Sequence, residues 1–271
     1  MSLLKLRGRF RAVKSLDSIL NALQMVTAVR TQRARAKLFS VQEYIKPLKN
    51  VFWDRGQMTA TKGKILVIIS SNQGLCGSFS KGVVTKALNY LADKKDYRLV
   101  VFGRKGVEGV RMFPAMVGKT IFSEYNCVDN CNHLEALKLF RKIYDFNSEI
   151  YVAYNVYKSA VTQLPVIKKL HPMADLAPAR RAEEYILEPE PERLTSALYY
   201  HYIEMEFYRI LLESKVGELA ARLMVLKGAV DNSRDLIGSL TIAINKARQA
   251  DITSDLIEII SSAEALRRDY E

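Results

Sequence analysis

Residues 212–247 read LESKVGELAARLMVLKGAVDNSRDLIGSLTIAINKA, and one stripe of positions runs through them at alternating spacings of four and three: Leu212, Val216, Leu219, Leu223, Leu226, Val230, Ser233, Ile237, Leu240, Ile244 and Ala247. Only Ser233 in that stripe is polar. A repeat of this period keeps to one helix face when two helices supercoil around each other, so the stripe is read as a coiled-coil seam. No proline occurs from Glu192 to Glu271, and these 80 residues reach about 120 Å if wholly helical, at ~1.5 Å per residue. That is far longer than a globular domain of this size needs.

A helix of that length must bury its seam, and the other end of the chain offers a partner. Residues 1–52 contain a single proline, Pro47, and carry similar spacings: Leu3, Leu6, Phe10 and Val13, then Ile19, Leu23 and Val26, then Val41, Ile45, Leu48 and Phe52. Because the intervening chain returns to its starting point, the two helices are expected to pack antiparallel, crossing at about +20°.

Between the helical ends the pattern changes to short apolar runs separated by helical stretches. Strands are predicted over 64–70 (KILVIIS), 98–103 (RLVVFG), 120–125 and 149–157, with helices over 78–92, 104–112 and 132–146. This alternation predicts an open α/β sheet with helices on its faces. A polar stretch bearing Pro165, Pro172, Pro178, Pro189 and Pro191 is read as the return to the long helix. The predicted fold class is therefore α+α/β: a long antiparallel two-helix coiled coil from the N- and C-terminal helices, with an inserted open, Rossmann-like α/β domain. The expected domains are 1–60 plus 190–271 for the coiled coil and 61–189 for the insert.

Bulk properties narrow the function. At 271 residues and 49% hydrophobic content the chain has the composition of a folded protein. Its apolar runs are too short to span a bilayer, and its basic N-terminus lacks the apolar core of a signal peptide, so any membrane association is expected to be peripheral and a bacterial cytoplasmic origin is the simpler reading. Cys76, Cys127 and Cys131 are an odd number of thiols in a chain long enough to fold without staples, which predicts reduced cysteines. Cys127 and Cys131, with His133 nearby, have the look of a metal or redox pair, but no second ligand pair accompanies them, and no metal is predicted.

The net charge of +12 is uneven: residues 1–50 hold eleven Lys and Arg against Asp17 and Glu43, or +9. Clustered cations point first to nucleic acid, yet no helix-turn-helix, zinc finger or aromatic stacking motif accompanies them, and a basic rod equally fits acidic protein surfaces.

Enzymatic readings find no support. Gly118-Lys119-Thr120 resembles the end of a P-loop, but Phe113 stands where that motif needs glycine, and a strand rather than a helix is predicted to follow. The segment Ser70-Ser71-Asn72-Gln73-Gly74-Leu75-Cys76-Gly77-Ser78 joins a strand to a helix and does not match GxGxxG, so it reads as a tight turn more readily than as an anion cradle. Cys76 has no histidine or acid at a recognisable spacing to activate it. No catalytic residue and no cofactor are predicted.

These residues lead to a resemblance. Residues 221–266, ARLMVLKGAVDNSRDLIGSLTIAINKARQADITSDLIEIISSAEAL, resemble the C-terminal signature of the gamma subunits of F-type ATP synthases, notably at Asp231-Asn232, at Asn245-Lys246-Ala247-Arg248-Gln249-Ala250, at Ile252-Thr253 and at Glu258-Ile259. LRGRFRAVKSLDSILNALQMVTAVR resembles the family's opening helix, with Ala22 and Met25-Val26 matching; Gly74-Leu75-Cys76-Gly77 resembles its first turn, and Gln163-Leu164-Pro165 with Leu170-His171-Pro172 its late segment.

The resemblance implies a noncatalytic rotor shaft inside a hexamer of alpha and beta subunits. Its α/β domain would stand on the membrane c-ring beside an epsilon subunit, at the cytoplasmic side of a bacterial inner membrane. Ion flow, of protons or sodium, is thereby coupled to ATP synthesis or hydrolysis, with no nucleic acid and no small-molecule substrate bound by the chain itself. It further implies that Arg248 and Gln249 hydrogen-bond a loop of the catalytic subunit, that Met25 lies near that subunit's hinge, and that Tyr185 and Glu188, in Tyr185-Ile186-Leu187-Glu188-Pro189, approach the membrane ring. Arg30, Arg33, Arg35 and Lys37 are expected to face partner subunits. The chain departs from the family at Asn72-Gln73, where Asp-Arg is usual, and it lacks the chloroplast cysteine insert after 170–173. Two other classes remain at this point: a nucleic-acid-binding coiled coil, and an enzyme with a ligand at the turn from Asn72 to Ser78.

Overall fold

The computed structural model of the chain describes residues 3–51, 63–92, 94, 96–124, 132–144, 148–173 and 191–268. They fall into two compact units, one spanning Thr27–Val225 and the other made of Met1–Val26 with Leu226–Glu271. The division lies within both terminal helices, α1 (Leu3–Val51) and α6 (Pro191–Arg268). The domain boundaries expected near 60 and 190 fall outside the described residues.

In the larger unit the order is β1 (Lys64–Ile69), α2 (Phe79–Leu91), β2 (Tyr97–Phe102), α3 (Arg104–Arg111), α4 (Pro114–Val117), β3 (Thr120–Glu124), α5 (His133–Tyr144), β4 (Glu149–Tyr157) and β5 (Gln163–His171). The sheet runs β3-β2-β1-β4-β5, parallel except for β5. β1 sits at its centre and is covered on both faces, which is why Ile65–Ile69 is an unbroken apolar run rather than an alternating one. On one face Leu66, Ile68, Leu99 and Val101 pack against Val83, Ala87 and Leu91 of α2. On the other, Ile65, Val67, Val100, Phe102 and Val152 meet Phe140 and Ile143 of α5, Leu38 and Ile45 of α1, and the stretch of α6 from Tyr199 to Val216. Each fully buried large side chain of this set contributes about 1.5–3 kcal/mol.

β5 corrects the sequence reading, which took its residues for the return connection. Lys168, Lys169 and above all Pro165 disguised it; proline is tolerated because β5 is an edge strand, antiparallel to β4, with Pro165 opposite Asn155. The short α4 was likewise not anticipated. Gly103, after β2, is required by its surroundings: its φ is +91°, and a Cβ there would lie 2.4 Å from the Ser70 carbonyl oxygen.

The smaller unit is a helix pair. Leu6, Leu226, Val230, Ser233 and Leu240 are buried in its seam. Ser233, the polar exception of the C-terminal stripe, shares its hydroxyl proton between the Val230 carbonyl, 2.8 Å away, and the Asp17 carboxylate. The second carboxylate oxygen of Asp17 accepts from Asn21 Nδ2 at 3.0 Å. The helices are antiparallel, since Tyr44 pairs with His201 in one unit while the earlier Asp17 pairs with the later Ser233 in the other.

The buried and half-buried residues of α1 continue the opening heptad without a break, through Leu3, Leu6, Phe10, Val13, Asp17, Leu20, Gln24, Thr27, Thr31, Ala34, Leu38, Val41, Ile45 and Leu48. Ile19, Leu23 and Val26, expected in the seam, are instead 57%, 43% and 51% exposed. The strict period overrides local hydrophobicity, because a side chain one position off the 3–4 repeat is carried about 100° around the helix.

Candidate functional site

Open α/β sheets take ligands at the carboxyl ends of strands where the strand order reverses, here between β1 and β4. The turn from Asn72 to Ser78 leaves β1 at that point. A cleft of about 230 Å3 lies beside it, with Phe79, Pro165, Val161, Met224 and Val225 on its walls, and no charged side chain among the described residues lines it. Helix α6 packs closely beside it: a Cβ on Gly217 would come within 3.1 Å of the Phe79 ring. Asn155, buried, spends its amide on the Phe79 carbonyl at 3.0 Å. Among the described residues that lining offers no cation to balance a phosphate.

Gly118 and Lys119 lie between α4 and β3, so the strand follows as expected, and Lys119 Nζ reaches the Lys94 carbonyl at 3.5 Å. Cys76 is buried and lies 3.5 Å from Ser71 Oγ, with no histidine among its hydrogen-bond partners in the described residues. Cys127 and Cys131 lie outside the described residues, and no cluster of three or more metal-binding side chains occurs among those described.

The surface readings fare differently. Met25 is 72% exposed on α1, and Arg248 and Gln249 are exposed on α6, all within the helix-pair unit. They are not brought together. Counted from the Asp17–Ser233 pair, Met25 and Arg248 lie in opposite directions along the antiparallel helices, about 35 Å apart at ~1.5 Å per residue. Tyr185 and Glu188 lie outside the described residues. Arg30, Arg33, Arg35 and Lys37 are exposed on α1, and the Arg35 guanidinium lies 5.9 Å from the Tyr157 ring centroid.

Sequence reasoning missed two features. The first is an outward apolar stripe on α1, Leu16, Ile19, Leu23 and Val26, flanking Met25, and a matching exposure at the end of α6, where Ile252, Leu256, Ile257, Ile259 and Ile260 are each more than half exposed. The signal was present as apolar residues out of step with the strict heptad. No helix among the described residues is long and apolar enough to cross a membrane.

The second is a ladder of buried carboxylates on α6. Glu204 accepts from Arg141 of α5 at 3.1 Å, Glu206 from Lys168 of β5 at 2.7 Å and from Arg209 at 2.8 Å, and Glu213 from Arg209 at 2.7 Å. Burial pushes the Glu206 carboxyl up, but the bonds from Arg209 and Lys168 outweigh it and hold it below the usual carboxylate range. Burial likewise pulls the Arg209 guanidinium down, and Glu206 and Glu213 raise it above its ordinary value, so both ends of the pair stay charged. Lys168 ties α6 to the sheet and Arg141 ties it to α5, while the Arg209 bonds lie within α6, and removing a cation strands a buried carboxylate.

The family model described as ATP synthase matches residues 2–266. The ATP synthase gamma chain of Symbiobacterium thermophilum is 33% identical, covering 96% of this chain and 96% of that one, and that of Desulfitobacterium hafniense is 31% identical, covering 96% and 98%. Among solved structures, a chain of the Euglena gracilis mitochondrial ATP synthase superposes with a TM-score of 0.72 at 16% identity, covering 99% of this chain and 96% of that one. A chain of the Tetrahymena thermophila mitochondrial ATP synthase central stalk and c-ring gives 0.57 at 24% identity, covering 78% and 99%. Matching over nearly its whole length in sequence, and sharing the fold of a central-stalk chain, this chain belongs to the family of ATP synthase gamma chains.

Proposed function

We propose that the chain is the noncatalytic central rotor shaft of an F-type ATP synthase, turning within a hexamer of alpha and beta subunits and coupling ion translocation through a membrane c-ring to ATP synthesis or hydrolysis. The observation that carries this reading is the end of α6. From Arg248 to Ala263 every residue is exposed, including five large apolar side chains. Contiguous exposed apolar surface of this kind marks a site of protein contact, and a helix tip exposed all round fits a sleeve formed by several partner subunits.

Within this role the coiled coil comprises 1–60 plus 190–271 and the foot 61–189. Arg248 and Gln249 hydrogen-bond the catalytic subunit, the guanidinium fork being suited to a carboxylate, and Met25 lies against the same subunit's hinge. Tyr185 and Glu188 face the membrane ring, with an epsilon subunit alongside the foot. The complex is placed at a bacterial inner membrane, peripherally and on its cytoplasmic side. No nucleotide, metal or nucleic acid is assigned to the chain itself.

The test is recovery of the tagged chain from its native membranes, with subunit masses and ATPase activity read on the eluate. Alpha and beta subunits with ATP hydrolysis are expected; the chain alone, or with nucleic acid, would refute the role. In reconstituted vesicles Arg248→Ala should lower ATP-driven pumping relative to hydrolysis, and an unchanged ratio would remove Arg248 from the coupling contact.

A further inference from the structure

Leu75, in the turn after β1, has a φ of +59° and is the one described residue other than glycine with positive φ. Its Cβ makes that left-handed conformation unfavourable, and it has no polar side chain to compensate locally. Nor does burial hold it there, because Leu75 is 58% exposed. A strained, outward leucine persists only where its surroundings over-determine it.

The restraint comes from α6. Arg222, 8% exposed, donates through Nε to the Gly74 carbonyl at 3.2 Å and through Nη2 to the Gln73 carbonyl at 3.5 Å and the Glu218 carboxylate at 2.6 Å. Glu218 is 1% exposed, and its other oxygen accepts from Lys215 at 3.1 Å. From beneath the turn, Ser71 Oγ lies 3.0 Å from the same Gln73 carbonyl, 2.7 Å from Ser80 Oγ and 3.5 Å from Cys76 Sγ. The thiol under this cover is 5% exposed although Leu75 beside it projects outward.

We infer that Arg222 is a positioning residue: anchored by Glu218, it pins the Gln73 and Gly74 carbonyls to the long helix, keeps Leu75 left-handed and projecting, and closes the turn over Cys76. The planar fork is what the site requires, since one guanidinium reaches two carbonyls and a carboxylate together, and a lysine ammonium on its flexible stem lacks that fixed geometry. The carboxylate aims the fork, so Glu218 acts on the turn only through Arg222. The inference concerns the chain's own turn and stands independently of the rotor role.

The experiment uses the full chain and a maleimide, with labelling of Cys76 followed by peptide mass so that Cys127 and Cys131 are counted apart. Arg222→Ala should label Cys76 about tenfold faster or more at unchanged helical circular dichroism, because the local opening is freed. Adding Leu75→Asn, whose side chain tolerates the left-handed region, should return the rate most of the way to wild type. Arg222→Lys should be intermediate and serves if the alanine variant does not fold. Wild-type labelling in Arg222→Ala or Arg222→Lys would overturn the inference. So would acceleration that Leu75→Asn fails to reduce, since Arg222 would then act through helix packing rather than through the strained turn.

Discussion

Helix α6 meets two environments along one uninterrupted run of turns. From Tyr202 to Ala220 every residue but Arg209 and Lys215 is buried, while from Arg248 to Ala263 none is. The two stretches do not differ in being apolar: Ile203, Phe207 and Ile210 have counterparts in Ile252, Leu256 and Ile259. They differ in what the chain itself supplies as cover. The first is packed by the sheet, α5 and α1, and even its carboxylates are matched by Arg141, Lys168 and Arg209. The second has no cover among the described residues. Hydrophobic content alone therefore separates a core from a contact surface poorly, and the supply of partners within the fold decides between them.

The sharpest way to break this contrast is Phe207→Ala. The ring is fully buried, 5.5 Å from that of Phe140 and 6.2 Å from that of Phe102, and its loss should cost about 3–5 kcal/mol, read as a lower urea midpoint for the Thr27–Val225 unit. A loss below about 1 kcal/mol would mean that this part of α6 is not the core helix described here.

That core was only partly legible from sequence. Strands β1, β2 and β4 were visible because buried parallel strands are apolar runs with β-branched residues, and the α6 seam because its heptad is nearly unbroken. β5 was hidden, since edge position relaxes the very rules that make a strand recognisable. In α1 the error was of another kind: Ile19, Leu23 and Val26 were assigned to the seam for being apolar, whereas extending the 3–4 count from Leu3 leads through Asp17, Gln24, Thr27 and Thr31. Periodicity carried the position, and composition carried a second surface. The residues proposed to face partners, Met25 and Arg248, were suggested by resemblance and not by pattern, because an exposed side chain leaves no mark in spacing.

The polar interruption of the helix pair gives the next effect. Asp17→Ala removes the carboxylate shared by Ser233 and Asn21 and should weaken the pair by about 1 kcal/mol, seen as faster hydrogen exchange of amides near Ser233. Replacing both, Asp17→Leu with Ser233→Leu, should restore or exceed wild-type protection, since apolar residues then meet across the seam. If the double variant exchanges faster still, the polar pair and not the apolar stripe holds that stretch.

A pH effect belongs to the sheet unit. His171 is buried, with Nδ1 3.0 Å from the Tyr199 hydroxyl, and burial, aided by Lys169, lowers its pKa below the ordinary 6.5. The unfolded chain therefore takes up a proton near pH 6.5 that the folded one refuses. Stability supplied by the neutral imidazole is present above that pH and is lost as pH falls below it. His171→Gln should flatten the pH dependence of the sheet unit's unfolding midpoint below about pH 6.5, the ordinary histidine value. An unchanged slope would assign the dependence to other groups.

The smallest effect on the fold is the most telling one for the comparison. Leu256 is 53% exposed, so Leu256→Ala in the isolated chain should move the unfolding midpoint by no more than about 0.5 kcal/mol. If the end of α6 meets partner subunits as proposed, the same substitution in the assembled complex should lower coupling of ATP hydrolysis to pumping although the subunit is as stable as before. A Leu256→Ala chain that is destabilised on its own would show that the end of α6 already has cover. One that is stable and fully coupled would show that the exposed stripe needs none. Only a variant silent in the fold and audible in the complex fits a helix whose first half is packed by its own chain and whose last turns await another.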